Sequence, residues 1–253
     1  MTIEDLKADP LFRDSQLVDF YDYDNRWGPD DDYCRELAEK AASVLDLGCG
    51  TGRLTTALAT SGREVVGVDP AKAMLDVARA QPSASPVTWI EGDARDIRLG
   101  RNFDLILLTG HAFQVFLSKA DQAAVLQTIS EHLGPTGRFI FDSRNPVVEE
   151  WREWNETESL RQFQHPTFGA IKSWNTAQHD HLTGNVTYQT NYIVSATGQH
   201  FSATSCIRFT PQSELESLLA ESGLAVDQWL GDWNGGNFAP NSPEIIPIGR
   251  LDN

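Results

Sequence analysis

The chain has 253 residues, of which 36 are acidic and 20 are basic, so its net charge is −16. This acidity disfavours nucleic acid and anionic membrane surfaces as partners, because proteins that bind them need a basic face. No apolar run approaches the roughly eighteen residues of a membrane-spanning helix, and the hydrophobic content of 40% is typical of a globular protein.

The cysteines and the amino-terminal residues give two indications of the cellular compartment. Cys34, Cys49 and Cys206 are widely separated and form neither a zinc-ligand spacing nor a disulfide framework, which is typical of a reducing cytoplasm. The first residues contain neither a basic segment nor an apolar core, so we predict no signal peptide. We expect a cytoplasmic protein without a metal.

Strands and helices alternate through the first 145 residues. Residues 1–29 are aromatic and acidic, and three consecutive aspartates at 30–32 then begin a helix predicted to run to about Ala42. Apolar strands are predicted near 43–47, 64–68, 87–90, 103–108 and 137–142, and helices near 53–60, 71–80 and 119–133. The Gly-Pro-Thr-Gly segment at 134–137 predicts a stop before the fifth strand. Such alternation indicates a parallel sheet with helices on both faces.

The pattern changes after Pro146. Period-two alternation and turn-forming residues predict about four antiparallel strands between 160 and 209. A helix from Pro211 to about Ser222 and two strands near 225–231 and 244–250 complete the chain. We therefore predict a doubly wound, seven-stranded, mostly parallel Rossmann-like α/β sheet. Residues 1–146 and 210–253 would form the core, and residues 147–209 an inserted antiparallel β cap that covers the acceptor site.

A glycine-rich segment follows the first predicted strand. Gly48, Gly50 and Gly52 occupy every second position before a helical pattern begins at Arg53. Glycines let a backbone turn sharply and approach a ligand too closely for a Cβ atom. The second apolar run ends in Asp69, where doubly wound folds place an acid that accepts both hydroxyls of a ribose.

The third glycine separates two cofactor classes. The dinucleotide motif G-x-G-x-x-G/A needs a small residue three positions after its second glycine, but Arg53 stands there and Gly52 comes one position earlier. Asp46 would repel a pyrophosphate and suits a cationic amino-acid ligand. This spacing disfavours a nicotinamide dehydrogenase and favours an amino-acid nucleoside.

The segment Asp46-Leu47-Gly48-Cys49-Gly50-Thr51-Gly52 resembles motif I of the class I S-adenosylmethionine-dependent methyltransferases. The resemblance continues through Asp69, the helix start at 70–75, Gly92-Asp93-Ala94 and the strand at 103–108, and covers roughly residues 30–145. It implies S-adenosylmethionine as the cofactor. The cofactor-binding residues that it implies are Trp27, Asp46, Gly48, Cys49, Gly50, Asp69, Pro70, Met74, Asp93, Ala94 and Thr109.

The resemblance also implies individual roles. Gly48 and Gly50 would contact the methionine part, and Asp46 would lie near its ammonium group. Asp69 would accept the ribose hydroxyls, and Asp93 the adenine amino group, while Ala94 donates its backbone N–H to a ring nitrogen. Capping of turns or helices is the structural alternative for the two later acids. Thr109 would lie near the sulfonium, and Trp27 would either face that cation or pack in an amphipathic helix.

His111 is the candidate catalytic base, because its unperturbed pKa is about 6.5 and it follows the fourth strand. It could instead order the loop at Gly110 by a hydrogen bond. His179 and His181 have a metal-ligand spacing but are typical of exposed hairpin residues. Residues 233–238 contain Trp, Phe, Gly and Asn, which favours an aromatic acceptor pocket.

We therefore predict a methyltransferase that transfers a methyl group to O or N of a small molecule. The alternatives are a non-catalytic S-adenosylmethionine-binding protein of the same fold and an enzyme that uses this cofactor for another reaction. The sequence leaves three points open: whether a dedicated base exists, which acceptor is used, and whether the chain is a monomer or a homodimer.

Overall fold

The computed structural model describes residues 9–60, 62–84 and 86–252. Two compact units can be distinguished. The core unit comprises Trp27–Val148 and Phe209–Asn253, and the inserted unit comprises Glu149–Arg208 together with the residues up to Arg26. No helix within the described ranges is long and apolar enough to cross a membrane.

The core unit is built on one twisted sheet. Its strands are β1 Ser43–Leu47, β2 Glu64–Asp69, β3 Val87–Glu91, β4 Phe103–Leu108, β5 Leu133–Phe141, β6 Ser143–Arg144, β11 Leu224–Leu230 and β12 Glu244–Leu251. The order is β11-β12-β5-β4-β1-β2-β3, and the short β6 pairs with β12. Strands β1 to β5 pair in parallel, whereas β12 is antiparallel to its neighbours. The predicted doubly wound, mostly parallel sheet is thereby confirmed.

The helices of the core unit are α3 Pro29–Leu37, α4 Arg53–Leu58, α5 Lys72–Ala80, α6 Lys119–His132 and α7 Gln212–Glu221, with short 3₁₀ turns at Ala38–Lys40 and Ala112–Val115. One buried cluster includes Leu45, Phe139 and Leu215, and a second includes Val44, Leu58 and Ile140. Alternate residues of β1 and β5 thus enter different clusters, because successive strand residues point to opposite faces.

The predicted stop at residues 134–137 is wrong in position. β5 begins at Leu133, directly after α6 ends at His132. The pairing with β4 shifts register between Phe103 and Leu105, and a Cβ atom on Gly137 would lie 2.6 Å from the Phe103 carbonyl oxygen. Gly137 therefore lies in a β-bulge inside the strand, where the neighbouring backbone comes too close for a residue with a Cβ atom.

The inserted unit contains α1 Pro10–Arg13, α2 Ser15–Asp24, a 3₁₀ turn at Glu150–Glu153 and strands β7 Arg161–His165, β8 Gly169–Asp180, β9 Asn185–Val194 and β10 His200–Arg208. The strands form one antiparallel sheet in the order β10-β9-β8-β7. The predicted antiparallel insertion after strand five is thus confirmed as part of the fold.

The amino-terminal helices pack on the inserted sheet, although the sequence assigned residues 1–146 to the core. Phe20 of α2 is fully buried and lies among the rings of Phe168, Tyr192 and Phe201. The guanidinium of Arg161 donates to both carboxylate oxygens of Asp24 at 2.8 and 3.0 Å. Aromatic burial and a charged hydrogen-bonded pair hold the segment there; residues 1–8 lie outside the described part.

Candidate active site

The glycine-rich loop joins β1 to α4. Gly48, Gly50 and Gly52 have φ values of +73°, +54° and +76°, which residues with a Cβ atom rarely adopt. The N–H groups of Gly48 and Cys49 donate to the Val68 carbonyl at 2.7 and 3.1 Å. The loop is therefore anchored to the end of β2, and its left-handed glycines explain why the motif needs them.

Gly52 has a second reason to be a glycine. A Cβ atom on this residue would collide with the indole ring of Trp89 and lie 3.0 Å from the Ala78 Cβ. The same ring lies against Gly67 of β2, where a Cβ atom would approach it to 2.7 Å. The early third glycine thus makes room for an aromatic ring of β3.

Asp69 connects the end of β2 to this loop. Its Oδ2 accepts the Gly50 N–H at 2.9 Å, and its Oδ1 accepts the Ala71 N–H at 2.8 Å. The residue is buried, and an ionised carboxylate only accepts hydrogen bonds. The structure brings it to the loop, and the ribose contact stays a prediction.

Asp46 is buried beneath the loop. The Thr55 hydroxyl donates to its Oδ2 at 2.6 Å. Burial raises the pKa of Asp46 from 3.8 to about 7, the Thr55 hydrogen bond opposes this rise, and the charges of Asp69 and Asp31 add to it. A buried carboxyl of this kind gains from a cationic neighbour, and its contact with an ammonium group stays a prediction.

Arg53, the first residue of α4, is paired across the core unit. Its Nη2 lies 3.0 Å from Oδ2 of Asp31 in α3, and the same oxygen accepts the Gly28 N–H at 2.9 Å. Burial is the main cause that raises the pKa of Asp31. The sequence identified this aspartate only as a helix-start acid, and no local signal indicated its pairing with a residue 22 positions away.

Trp27 lies at the start of α3. Its Nε1 donates to Asp32 Oδ1 at 2.9 Å, and the Arg35 guanidinium lies 5.6 Å from the ring centre. Its side chain is 38% exposed. These contacts fit packing at the helix start, and its predicted role toward the cofactor stays a prediction.

Three other predicted cofactor residues differ in exposure. Cys49 packs toward β2, where a Cβ atom on Gly67 would lie 3.0 Å from its Sγ, and burial raises the pKa of its thiol. Pro70 is exposed. Met74 is 1% exposed, so its side chain offers a ligand almost no surface; its cofactor contact stays a prediction.

Asp93 follows β3 and is held by a neighbouring arginine. Its Oδ1 accepts the backbone N–H of Arg95 at 2.9 Å, and its Oδ2 accepts from Arg95 Nη2 at 2.5 Å. Arg95 also lies 2.8 Å from Asp121 Oδ1 near the start of α6. The hydrogen bonds that the Arg95 guanidinium donates to Asp93 raise the pKa of Arg95, against the effect of burial. This orients the acid predicted to bind adenine, while Ala94 beside it is buried in the core.

His111 lies in the loop after β4, two residues beyond the partly buried Thr109. Its φ of +62° is unusual for a residue with a side chain, and its N–H donates to both oxygens of Asp142 at 3.0 and 3.1 Å. Its Nε2 lies 3.0 Å from Glu244 Oε1 and 3.4 Å from Asp142 Oδ2. Both predicted roles, base and loop-ordering residue, are compatible with this geometry.

The trio His111, Asp142 and Glu244 places three ligand-type atoms within 4.8 Å of one another. Asp142 is 1% exposed; burial raises its pKa to about 6, His111 opposes this rise and Glu244 adds to it. The sequence predicted no metal, and it placed Glu244 in a strand without a site role. Only sheet order, with β12 beside β5 and β5 beside β4, brings the glutamate to the histidine.

The predicted acceptor pocket at residues 233–238 takes part in core packing. Trp233 packs on the cluster around Leu58 and Phe238 on the cluster around Phe139. In the inserted unit, His179 and His181 have ring centres 4.7 Å apart. These contacts do not indicate that either the 233–238 segment or the two histidines line a binding site.

Residues 44–137 match the profile of a methyltransferase domain family. The dTDP-3-amino-3,4,6-trideoxy-alpha-D-glucopyranose N,N-dimethyltransferase of Streptomyces venezuelae is 27% identical over 216 residues, 81% of this chain and 84% of that protein. The cypemycin N-terminal methyltransferase of a Streptomyces species is 36% identical over 105 residues, and this match spans 42% of the chain and only 43% of that relative.

Solved structures agree on the fold. The CcbJ methyltransferase of Streptomyces caelestis superposes with a TM-score of 0.75 at 23% identity, covering 90% of this chain and 98% of that one. The S-adenosylmethionine-bound amino pentose methyltransferase CalS10 of Micromonospora echinaspora gives a TM-score of 0.67 at 20% identity, covering 89% of this chain and 92% of that one. With motif I in place at the end of β1, the chain has the fold of the class I S-adenosylmethionine-dependent methyltransferases.

Proposed function

We propose that this protein transfers a methyl group from S-adenosylmethionine to O or N of a small-molecule acceptor. The observation that carries the proposal is the anchored glycine-rich loop. The Gly50 N–H donates a hydrogen bond to Asp69 at 2.9 Å, and Asp46 is buried at the end of the preceding strand. Left-handed glycines leave room for a ligand, and two acids suit an ammonium group and a ribose. The donor set therefore fits this cofactor.

The cofactor supplies an activated methyl group on a sulfonium, so the protein mainly has to position the acceptor and exclude water. In this proposal Gly48 and Gly50 hold the methionine part, Asp46 its ammonium and Asp69 the ribose. Asp93 and Ala94 bind adenine, and Cys49, Pro70, Met74, Thr109 and Trp27 complete the cofactor site.

His111 would take a proton from the acceptor where one must be removed. The inserted strands at residues 147–209 would cover the acceptor site and set its specificity. The acidic surface and the three free thiols fit a neutral or cationic acceptor and a cytoplasmic location.

Calorimetry with S-adenosylmethionine tests the cofactor part. We expect the wild type to bind and Asp69→Ala to raise the dissociation constant at least tenfold. Asp76→Ala is the matched control, because this aspartate of α5 is 54% exposed. No binding by the wild type would overturn the proposal.

Methyl transfer is tested with radiolabelled cofactor and a metabolite extract. His111→Ala should lower turnover at least tenfold and leave cofactor affinity near the wild-type value; unchanged turnover would remove the histidine as the base. A protein that binds the cofactor but labels no acceptor would instead be a non-catalytic member of the fold.

A further inference from the structure

The glycine-rich loop between β1 and α4 has one open position and one filled position. A Cβ atom on Gly50 would meet nothing within 4 Å among the described residues beyond its chain neighbours. A Cβ atom on Gly52 would instead collide with the Trp89 ring. The backbone at Gly50 is therefore open to a ligand, whereas protein atoms fill the space at Gly52.

The loop does not fix its own shape. Glycine adopts left-handed and right-handed conformations about equally readily, and Gly48, Gly50 and Gly52 make up three of five consecutive residues. A segment that becomes ordered only on binding reduces affinity by its loss of conformational entropy. Contacts that hold the loop in one shape beforehand should therefore strengthen binding.

Trp89 of β3 supplies one such contact. Its ring lies against Gly52 of the loop and against Gly67 of β2, where a Cβ atom would approach it to 2.7 Å. The indole Nε1 donates to the Ala84 carbonyl at 3.3 Å, which orients the ring. The ring therefore lies between β2 and the loop and limits how far Gly52 can move.

Gln81, the residue after α5, supplies a second contact. Its Nε2 donates to the Thr51 carbonyl at 2.5 Å; a carbonyl only accepts, so the amide nitrogen has to face it. Thr51 is 3% exposed, so water replaces a lost donor poorly. The Gln81 carbonyl accepts the Ala84 N–H at 3.0 Å, and the turn that carries Gln81 thus also holds the Trp89 ring.

We propose that Trp89 and Gln81 are positioning residues for the cofactor, which hold residues 50–52 in the shape that receives the amino-acid part of S-adenosylmethionine. This inference rests on the proposed function, in which Gly48 and Gly50 hold that part. Neither of the two side chains has to touch the cofactor, because both act through the loop backbone.

Two ligands distinguish positioning of the loop from a general loss of structure. S-adenosylhomocysteine contains the amino-acid part, whereas 5′-methylthioadenosine lacks it. Asp69 also accepts the Ala71 N–H, and Asp93 is held by Arg95, so the residues proposed to bind adenosine keep supports of their own. A change in the loop should therefore weaken the first ligand far more than the second.

Calorimetry with both ligands tests the proposal. Trp89→Leu and Gln81→Met should each raise the dissociation constant of S-adenosylhomocysteine by about fivefold or more, and that of 5′-methylthioadenosine by less than about twofold. Trp89→Phe keeps an aromatic ring and should retain part of the affinity. It carries the test of the ring if Trp89→Leu does not unfold cooperatively in urea.

Each substitution has a matched control. Trp229→Leu removes a partly buried tryptophan from β11, at the opposite edge of the sheet from β3. Gln127→Met removes an exposed amide of α6 that donates to Glu131. Both controls should bind both ligands as the wild type does.

The outcomes separate the two proposals. Equal weakening of both ligands, or unchanged affinity for S-adenosylhomocysteine, in variants that unfold cooperatively overturns the positioning role alone. The same selective loss in the control variants also overturns it, because the effect would then not depend on contact with the loop. A wild type that binds neither S-adenosylhomocysteine nor S-adenosylmethionine overturns the proposed function.

Discussion

Replacement of the buried Asp46 by asparagine should change how stability depends on pH. Burial raises the pKa of this carboxyl to about 7, from 3.8 as its ordinary value. Between these pH values the folded protein retains a proton that the unfolded chain has lost. The stability contributed by the protonated acid is therefore present at low pH and is lost as the pH rises toward 7.

The size of the effect follows from the shift. Each pH unit within this window changes the free energy of unfolding by about 1.4 kcal/mol. The contribution of Asp46 should thus fall by about 2 kcal/mol between pH 5 and pH 7, because the slope weakens as the carboxyl of the folded protein begins to ionise near pH 7. Asparagine does not titrate and can still accept the hydrogen bond of the Thr55 hydroxyl. In Asp46→Asn the free energy of unfolding should therefore lack this decrease between pH 5 and pH 7.

Urea unfolding followed by tryptophan fluorescence at pH 5, 6, 7 and 8 gives the free energies. The difference between Asp46→Asn and wild type should grow in favour of the variant from pH 5 to pH 7 and then level off. Asp76→Asn, an exposed acid of α5, should run parallel to wild type. A pH-independent difference for Asp46→Asn would refute the argument that burial governs this carboxyl.

Cofactor binding offers a second measurement on the same residue. An ammonium group beside Asp46 favours the ionised carboxylate, so wild-type affinity for S-adenosylmethionine should rise from pH 5 to pH 7, by up to about tenfold per unit. Asp46→Asn should bind more weakly and without that rise. Equal pH profiles would place the ammonium group elsewhere.

Three further changes test the packing and ion pairs around the sites. Gly52→Ala should destabilise the protein by about 2–4 kcal/mol, because the φ is positive and the Trp89 ring occupies the space; a loss below about 1 kcal/mol in urea unfolding would contradict this. Arg161→Met should cost about 3 kcal/mol, since it leaves the buried carboxylate of Asp24 without its guanidinium, and stability equal to wild type would show that the pair is dispensable. Arg95→Leu should weaken S-adenosylmethionine binding severalfold by freeing the predicted adenine-binding acid, and calorimetry showing unchanged affinity would remove this arginine as its positioning residue.

The sequence predicted the site best where chemistry and spacing are local. Glycines at every second position after an apolar run need no tertiary knowledge, because their positive φ angles are a property of the turn itself. Asp69 could be placed for a similar reason: the ends of neighbouring parallel strands meet at one edge of a sheet. The structure brings both together through the hydrogen bond from Gly50.

Local patterns failed where the partner is distant in the chain. The aspartates at 30–32 were interpreted as helix-start residues, yet Asp31 also pairs with Arg53. The Gly-Pro-Thr-Gly segment was interpreted as a stop, whereas the backbone of Phe103 on the neighbouring strand makes it a bulge. Aromatic residues before position 27 carried no signal that they would pack on the inserted sheet.

By itself, the sequence determined the α/β sheet, the antiparallel insertion and the cofactor class, because hydrophobic period, turn residues and the glycine motif act over short stretches. Only the tertiary structure decided what surrounds His111. Glu244 is 133 positions away, and the order of β4, β5 and β12 in the sheet is what places its carboxylate 3.0 Å from the ring. Pairing between distant strands is set by the packing of the whole sheet, and no short stretch of residues encodes it.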